Sequence, residues 1–393
     1  MNSKRTMSRD EILSLAAIIA AMLVVNMIYA VSLPLLSLTL SQEGVSEGII
    51  GLNTAAQPLA AFIIAPFLPR LIARFRPSGV MTVALLTFGV VMILLPLKVD
   101  LAYWFALRPF LGMAGCALWV ASEAWINTLA RDESRGRVIG IYSTASAFGW
   151  MLGPVILLVL GSEGYLPYMV SAAIAFSAIL PMVLAKGNDP DLSSDKQTRI
   201  WMFLLLAPLP LLINFVVATT HESFSTFFAL FAVAQGNHES TAFSLMATTG
   251  FGALITQYPI GLLADRMNRV VLTIGLILVN IACAAAFSSF VDLSLPSLFL
   301  FFVWGAAGGG LYSLAIILLG QRFKGGELAG ASAAFTGMYS VGILAGPPVT
   351  GAVMEWVGPA GLTYTLVTTL ALMLPVALWR LLVSDRPTAS DQS

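Results

Sequence analysis

The sequence predicts an all-α integral membrane protein with twelve transmembrane helices in two pseudo-symmetric bundles of six. Hydrophobic residues make up 58% of the 393 residues and charged residues only 10%, against about 25% in soluble proteins. The apolar residues fall in blocks of roughly 20, the length at which a helix crosses a bilayer. A soluble domain of this composition could not cover its own surface. The lipid bilayer is therefore the expected environment of the chain.

Short polar connections separate the predicted spans. The longest of those in the middle, Lys186–Arg199, is polar and contains a proline, which is typical of a linker. We therefore predict an N-terminal bundle over residues 1–185, a cytoplasmic linker over 186–199, and a C-terminal bundle with a short tail over 200–393. The spans are predicted at residues 12–38, 48–69, 79–97, 101–130, 138–160, 164–185, 201–234, 240–263, 270–290, 295–319, 328–354 and 360–381.

The positions of the basic residues predict the orientation of the chain. All 20 Lys and Arg residues except Lys98 and Arg108 lie at the two termini or in the loops that follow even-numbered spans. Loops rich in Lys and Arg remain in the cytoplasm. We therefore expect a multi-pass protein of the cytoplasmic (inner) membrane with both termini in the cytoplasm. The first span is longer than a signal-peptide core and is expected to be retained.

The chain also repeats itself at an offset of 193 residues, which aligns Gly112 with Gly305 and the segment 149–154 with 342–347. Two parallel six-helix halves are a known plan of transporters, whose site lies between the halves near the midplane. Glycines four residues apart predict close helix packing, and a proline beside them predicts a bend. The residues assigned to helix packing are Gly149, Gly153, Pro154, Gly342, Gly346 and Pro347.

A second motif lies between predicted spans 8 and 9, at Gly261, Asp265, Arg266 and Arg269. The glycine permits close approach of helices. The carboxylate can accept hydrogen bonds from a helix end or pair with an arginine. This pattern predicts a latch that opens and re-forms, although a basic cytoplasmic loop without such a role would contain similar residues.

With these motifs the whole chain resembles the major facilitator superfamily. The loop between spans 8 and 9 matches a motif of that family, Arg108–Gly112 resembles its RxxxG motif, and Gly149–Pro154 resembles its GxxxGP motif. The segments SEAWIN and QYPIGLLADR resemble those of a poorly characterised bacterial branch of small permeases. The resemblance implies secondary active transport of a small solute by alternating access. We expect a monomer that needs no cofactor.

One position departs from the family pattern. The loop between spans 2 and 3 keeps its basic residues, among them Arg74, but Ala73 stands where the family has an aspartate. The resemblance therefore supports the latch of the second half more strongly than one around Arg74.

Two charged residues are predicted inside span 4. Arg108 is the only basic residue in the interior of a predicted span, since Arg380 lies at the very end of span 12. Because an unpaired buried charge is costly, it should face a partner or a water-filled cavity, unless it snorkels to the outer surface. Glu123 is roughly 22 Å away along the same helix and cannot pair with Arg108. It either forms an inner gate or a salt bridge to the next loop, or it takes part in substrate or proton binding.

Span 7 contains His221 and Glu222 within VATTHESFSTFF. The pair begins like the zinc motif HExxH, but Ser225 stands where the second histidine is required, so we expect no metal site. Because the pair lies near the middle of the span, it predicts a site that faces the other bundle and couples transport to a proton or cation. A structural pair satisfied by its neighbours is the alternative. We also predict a contact between Glu222 and Arg108.

The predicted function is transport of a small solute, with proton coupling as a hypothesis that rests on Glu222, His221, Arg108 and Glu123. A facilitative uniporter, a channel or sensor, and a membrane-embedded enzyme are the alternatives, and no nucleophile–base arrangement supports the enzyme. No basic cluster with interleaved aromatic residues indicates nucleic-acid binding. The candidate polar residues of a transport cavity are Asn26, Tyr29, Gln57, Asn127, Asn214 and Tyr312.

Overall fold

The computed structural model of the chain describes residues 9–129, 135–185, 206–323 and 326–384, and helix is the only regular secondary structure in these residues. Twelve helical segments within them are long enough to cross a membrane, and we number them α1 to α12. They are α1 Arg9–Gln42, α2 Glu47–Phe75, α3 Pro77–Leu97, α4 Leu101–Leu129, α5 Arg135–Leu160, α6 Leu166–Ala185, α7 Pro208–Ala234, α8 Glu239–Arg266, α9 Arg269–Ser289, α10 Leu295–Arg322, α11 Gly326–Val357 and α12 Gly361–Leu382.

The surface of these helices is apolar. Ten of the twelve are both long and apolar enough to span a membrane. The other two, α8 and α11, contain 28 and 32 residues and are richer in Gly, Ser and Thr. Large apolar side chains point outward and are at least 60% exposed, for example Phe62, Val83 and Phe299. Lipid tails solvate such a surface, whereas water does not. The twelve-helix membrane fold predicted from the sequence is therefore confirmed.

The connection between α2 and α3 is shorter than the sequence suggested. A loop was expected after residue 69, but Leu68–Phe75 continues as a helix until the chain turns at Arg76, whose φ is 63°. Leu68 and Ile72 are buried on one face, while Arg74 is exposed on the other. Residues four apart share one face of a helix. This segment is therefore amphipathic, and it keeps its basic residues on the exposed side.

The contacts of the chain divide it into two compact units, residues 1–44 with 53–196 and residues 45–52 with 197–393. The start of α2 belongs to the second unit, where it packs on α11. Gly51 lies against the backbone of Pro347, and Gly351 lies against the backbone of Glu47, so neither position has space for a Cβ atom. The predicted linker 186–199 and residues 201–205 of the predicted seventh span lie outside the described residues.

The repeated glycine motifs pack in the same way in each unit. In the first unit, Gly149 and Gly153 of α5 lie against the backbone of Leu23 and Ala30 in α1. In the second unit, Gly342 and Gly346 of α11 lie against Phe215 and Thr219 in α7. Small residues let helix backbones approach closely in a membrane. Pro154 and Pro347 lie inside these helices, directly after the glycines.

A second pair of glycines shows the same repeat. Gly112 of α4 lies against the backbone carbonyl of Gln57 in α2, and Gly305 of α10 lies against that of Thr249 in α8. The internal repeat of the sequence is thus also a repeat of helix contacts. Gly308, three residues after Gly305 on α10, makes no such close contact, because an added Cβ atom there would meet no described atom within 4 Å.

Candidate functional site

Arg108 of α4 is completely buried in the first unit, with 0% exposure. It interacts electrostatically with the hydroxyl of Tyr168 in α6, and that hydroxyl shares a hydrogen bond of 3.3 Å with Thr39 of α1. A snorkelling arginine would bring its guanidinium group to water. Complete burial therefore favours the alternative in which Arg108 acts inside the protein.

Two buried amides of α2 lie close to this region. Asn53 and Gln57 are one helical turn apart and are 0% and 3% exposed. Their amide atoms have no hydrogen-bond partner among the described residues. The backbone of Gln57 contacts Gly112, one turn along α4 from Arg108. Because α2 and α4 run in the same direction, Asn53 lies at about the level of Arg108. An unsatisfied buried polar group costs about 1–3 kcal/mol, so this pair is more typical of a functional region than of packing.

Tyr29 of α1 is the centre of an aromatic cluster in the first unit. Its ring stacks on Trp119 with 5.4 Å between centroids and on Trp150 with 6.5 Å. Its hydroxyl donates to the Leu111 carbonyl at 3.2 Å. Asn26, one turn earlier, donates its amide to the Met22 carbonyl at 2.7 Å. Both predicted cavity residues therefore make polar contacts within their own unit.

Glu123 and Asn127 of α4 are exposed and one turn apart. Glu123 also lies one turn from Trp119 on the same helix. An exposed carboxylate in a span belongs next to water rather than lipid. Its exposure is compatible with an inner gate and with substrate or proton binding, and both remain predictions.

Glu222 lies in the middle of α7 and is only 7% exposed. Helix α7 is well enclosed, since 83% of its most apolar stretch is buried. His221 is partly buried beside it. Glu222 interacts electrostatically with Tyr339 of α11. The chain therefore places a carboxylate deep inside the second unit, within electrostatic reach of an aromatic residue that the sequence alone does not indicate.

Tyr339 belongs to a group of three rings. The centroid of Tyr312 in α10 is 6.3 Å from that of Tyr339 and 5.9 Å from that of Phe335. Asn214 of α7 donates to the Phe335 carbonyl at 2.6 Å and so joins α7 to α11, while its own side-chain oxygen has no hydrogen-bond partner in the described part of the chain. The carboxylate, the rings and this oxygen together form the candidate site of the second unit.

The internal repeat relates this site to the aromatic cluster of the first unit. A shift of 193 residues takes Tyr29 to Glu222 and Trp119 to Tyr312. The first unit stacks a tyrosine on a tryptophan at these positions. The second unit has a carboxylate and a tyrosine there instead. The predicted contact between Glu222 and Arg108 would join the two units and stays a prediction.

The predicted latch lies at the junction of α8 and α9. Asp265 and Arg266 end α8, and Arg269 begins α9. The Asp265 Oδ1 and Arg269 Nη2 atoms are 3.5 Å apart, and Arg269 Nε donates to the Ala264 carbonyl at 2.9 Å. No described atom lies within 4 Å of a Cβ atom built at Gly261, so its role in close helix approach stays a prediction.

In the first unit, Arg74 is exposed and its guanidinium carbon lies 5.5 Å from the centre of the Phe75 ring. The described residues contain no group of three or more His, Cys, Asp or Glu side chains that could hold a metal ion.

Residues 18–236 and 210–393 match the sequence profile described as Major Facilitator Superfamily. The chain belongs to this superfamily. It is therefore a membrane transporter of a solute and not an enzyme. The two matches together cover both six-helix halves of the chain.

Curated relatives of this superfamily match most of the chain. An uncharacterized MFS-type transporter of Bacillus subtilis, YfkF, is 24% identical over 370 residues, which are 90% of this chain and 91% of the relative. An uncharacterized MFS-type transporter of an Enterobacter species, Ent638_1421, is 26% identical over 344 residues, covering 86% and 88% of the two chains.

Solved structures show the same fold. A bacterial homologue of the human lysosomal transporter Spinster, in an inward-facing and unoccupied conformation, has a TM-score of 0.77 at 14% identity and covers 98% of this chain and 100% of its own. The nucleoside transporter NupG has a TM-score of 0.76 at 10% identity and covers 97% and 100%. At these identities the likeness concerns the fold alone.

The sequence indicated Tyr29 and Tyr312 but not Phe335 and Tyr339, which pack against Tyr312 in the second unit. Phe335 and Tyr339 are four residues apart, so they share one face of α11. This spacing was a usable signal. Their position beside Tyr312, and the interaction of Tyr339 with Glu222, depend on how three separate helices pack, and no sequence spacing encodes that.

Proposed function

We propose that the protein is a secondary active transporter that moves a small solute by alternating access and couples this movement to protons through Glu222. The observation that carries the proposal is the burial of this carboxylate in the middle of α7. Ionisable groups at membrane depth are costly and are typical of substrate or proton pathways. His221, Arg108 and Glu123 are further candidates for the same coupling.

We further propose that the protein acts as a monomer in the cytoplasmic membrane, with both termini in the cytoplasm. The distribution of Lys and Arg supports this orientation. Cysteine labelling with a membrane-impermeant reagent in whole cells tests it. A cysteine placed in the loop at Glu43 should react from outside, and one placed at Arg386 should react only after the cells are opened.

Proteoliposomes test the coupling. A thermal-shift screen of small molecules first identifies a compound that stabilises the purified protein. Its flux is then measured with and without an imposed pH gradient. We expect the gradient to drive net flux in the wild type, and we expect Glu222→Gln to abolish this drive while counterflow of labelled for unlabelled compound continues.

Flux that ignores the pH gradient in the wild type would contradict the proposal and favour a uniporter. If the pH gradient drives flux equally well in Glu222→Gln, another carboxylate must couple transport to protons. Glu163→Gln is the matched control, because Glu163 is exposed in the loop between α5 and α6.

A further inference from the structure

The candidate site of the second unit has a chemistry of its own, beyond proton coupling. It combines one carboxylate, Glu222, with the rings of Tyr312, Phe335 and Tyr339. A carboxylate attracts a positive charge directly. The faces of aromatic rings attract it as well, because their π electrons are negative, and such contacts contribute about 0.5–2 kcal/mol.

We propose that Glu222, Tyr312, Phe335 and Tyr339 bind an organic cation with a flat apolar body, and that this is the class of solute the protein transports. This inference rests on the proposed transport function and names its substrate class. The cationic group would lie between the Glu222 carboxylate and the tyrosine rings. The apolar body would lie along the rings towards Phe335.

Burial and exposure support such a ligand. Glu222 and Phe335 are 7% exposed, whereas Tyr312 keeps 38% of its surface exposed. The charged and apolar ends of the site are thus enclosed, while one ring remains accessible. Asn214 adds a fully buried oxygen that accepts no hydrogen bond within the described residues and lies beside Phe335. An N–H group of the ligand would satisfy it.

The internal repeat gives an independent argument. Where the first unit has Tyr29 stacked on Trp119, the second has Glu222 and Tyr312. A ring is replaced by a carboxylate, and its neighbour stays aromatic. A flat cation beside Tyr312 would occupy the place that the Tyr29 ring fills in the first unit, and Glu222 would neutralise its charge.

A proton and an organic cation would compete for the same carboxylate. The titratable groups near Glu222 are Tyr339 of α11, Tyr312 of α10 and His221 on α7 itself. The helices packed against α7 are α8, α10, α11 and α12. Most of their other described charged or titratable groups lie towards helix ends: Glu239, Tyr258, Asp265, Arg266, Arg322, Glu327, Glu355, Tyr364 and Arg380. A bound cation and a bound proton would therefore exclude each other at Glu222.

The test uses three probes with one ring system and different charges: N-methylquinolinium, quinoline and quinoline-3-carboxylate. Their binding to the purified full-length protein in detergent is measured by calorimetry at pH 8, where quinoline is neutral. We expect the cation to bind at least about tenfold more tightly than the other two probes. Glu222→Gln should remove this preference.

Ring variants separate cation binding from packing. Tyr312→Leu should weaken binding of N-methylquinolinium roughly 2- to 30-fold, the range that a cation–π contact of about 0.5–2 kcal/mol corresponds to. Tyr312→Phe keeps the ring and should bind like the wild type. Tyr258→Leu is the control, because Tyr258 of α8 is 76% exposed. Thermal unfolding of each variant shows that it is folded.

The substrate class is wrong if the folded wild type binds none of the probes, or binds quinoline or the carboxylate as tightly as the cation. It is equally wrong if Glu222→Gln or Tyr312→Leu leaves cation binding unchanged. These measurements need no pH gradient. Cation binding without proton-driven flux would therefore overturn the coupling alone, and proton-driven flux of an anion would overturn the substrate class alone.

Discussion

Gly112 of α4 lies directly against the backbone carbonyl of Gln57 in α2, at a distance that no Cβ atom could tolerate. Gly305 of α10 makes the same contact with Thr249 of α8 in the second unit. The two contacts fix the spacing of a helix pair in each unit. In the first unit, the pair carries Arg108 one turn from Gly112 and Asn53 one turn from Gln57.

Alanine at either glycine should therefore destabilise the protein. The added methyl group meets a rigid backbone, so the helices must separate, and overpacking of this kind costs about 1–3 kcal/mol. We expect Gly112→Ala and Gly305→Ala to lower the midpoint of thermal unfolding in detergent. Gly308→Ala is the control, because its surroundings are open. Equal midpoints for all three variants would contradict the packing role.

Replacement of Arg108 should impair both the stability of the protein and its transport. The side chain is completely buried and interacts with Tyr168. A buried polar group that loses its partner costs about 1–3 kcal/mol. We expect Arg108→Gln to lower the midpoint of thermal unfolding. We also expect it to lower the rate of transport at least about tenfold. Lys98→Gln should change neither, since Lys98 is an exposed residue paired with Asp100 at 3.4 Å.

Arg108→Lys separates the charge of Arg108 from its shape. A lysine keeps the charge but loses the planar fork of donors. Recovery of transport in this variant would mean that charge alone matters, and an inactive but folded variant would indicate a geometric role for the guanidinium group. Wild-type transport by Arg108→Gln would remove Arg108 from the candidate site altogether.

Asp265→Asn should slow transport with little effect on stability. The Asp265 side chain is 72% exposed, and exposed ion pairs contribute about 0–1 kcal/mol. If the pair with Arg269 is part of a latch, its loss should alter the rate of conformational exchange. We expect thermal unfolding close to that of the wild type and a flux that changes several-fold. A matched control is Glu239→Gln, at the opposite end of α8. Unchanged flux would show that Asp265 is not part of a latch.

Asp292 gives the start of α10 a pH-dependent stability. It lies outside the spans, and the hydroxyls of Ser294 and Ser297 donate to its carboxylate, that of Ser294 at 2.6 Å. These hydrogen bonds lower the pKa of Asp292 below its ordinary value. A lowered pKa in the folded state stabilises the protein above the pKa of the unfolded chain, about 3.9. This contribution is lost as the pH falls through the folded-state pKa.

Asp292→Ala should therefore unfold at a lower temperature than the wild type at pH 7, and the difference should shrink as the pH falls below about 4. Thermal unfolding between pH 3 and pH 7 measures this dependence. Glu43→Gln, an exposed change in another loop, controls for general effects of pH. A difference that is constant over the whole range would show that the carboxylate charge of Asp292 plays no part.

The sequence by itself determined the class of the protein. Blocks of apolar residues long enough to cross a bilayer predicted the twelve helices, because in lipid the backbone can satisfy its hydrogen bonds only within such helices. The 193-residue repeat and the motifs around Asp265 and Gly149 predicted the superfamily. These properties are local in sequence or recur at a fixed offset. The sequence could also single out Glu222, because a carboxylate inside an apolar span is conspicuous.

Only the tertiary structure decided what surrounds that carboxylate. Tyr339 of α11 interacts with Glu222, and glycines such as Gly342 and Gly346 let α11 approach α7 closely. Tyr312 of α10 joins them by packing against Tyr339. The structure likewise decided that Arg108 is buried rather than snorkelling, and that Asn53 lies at its level. Such facts depend on the distance and rotation of packed helices, which many residues fix together.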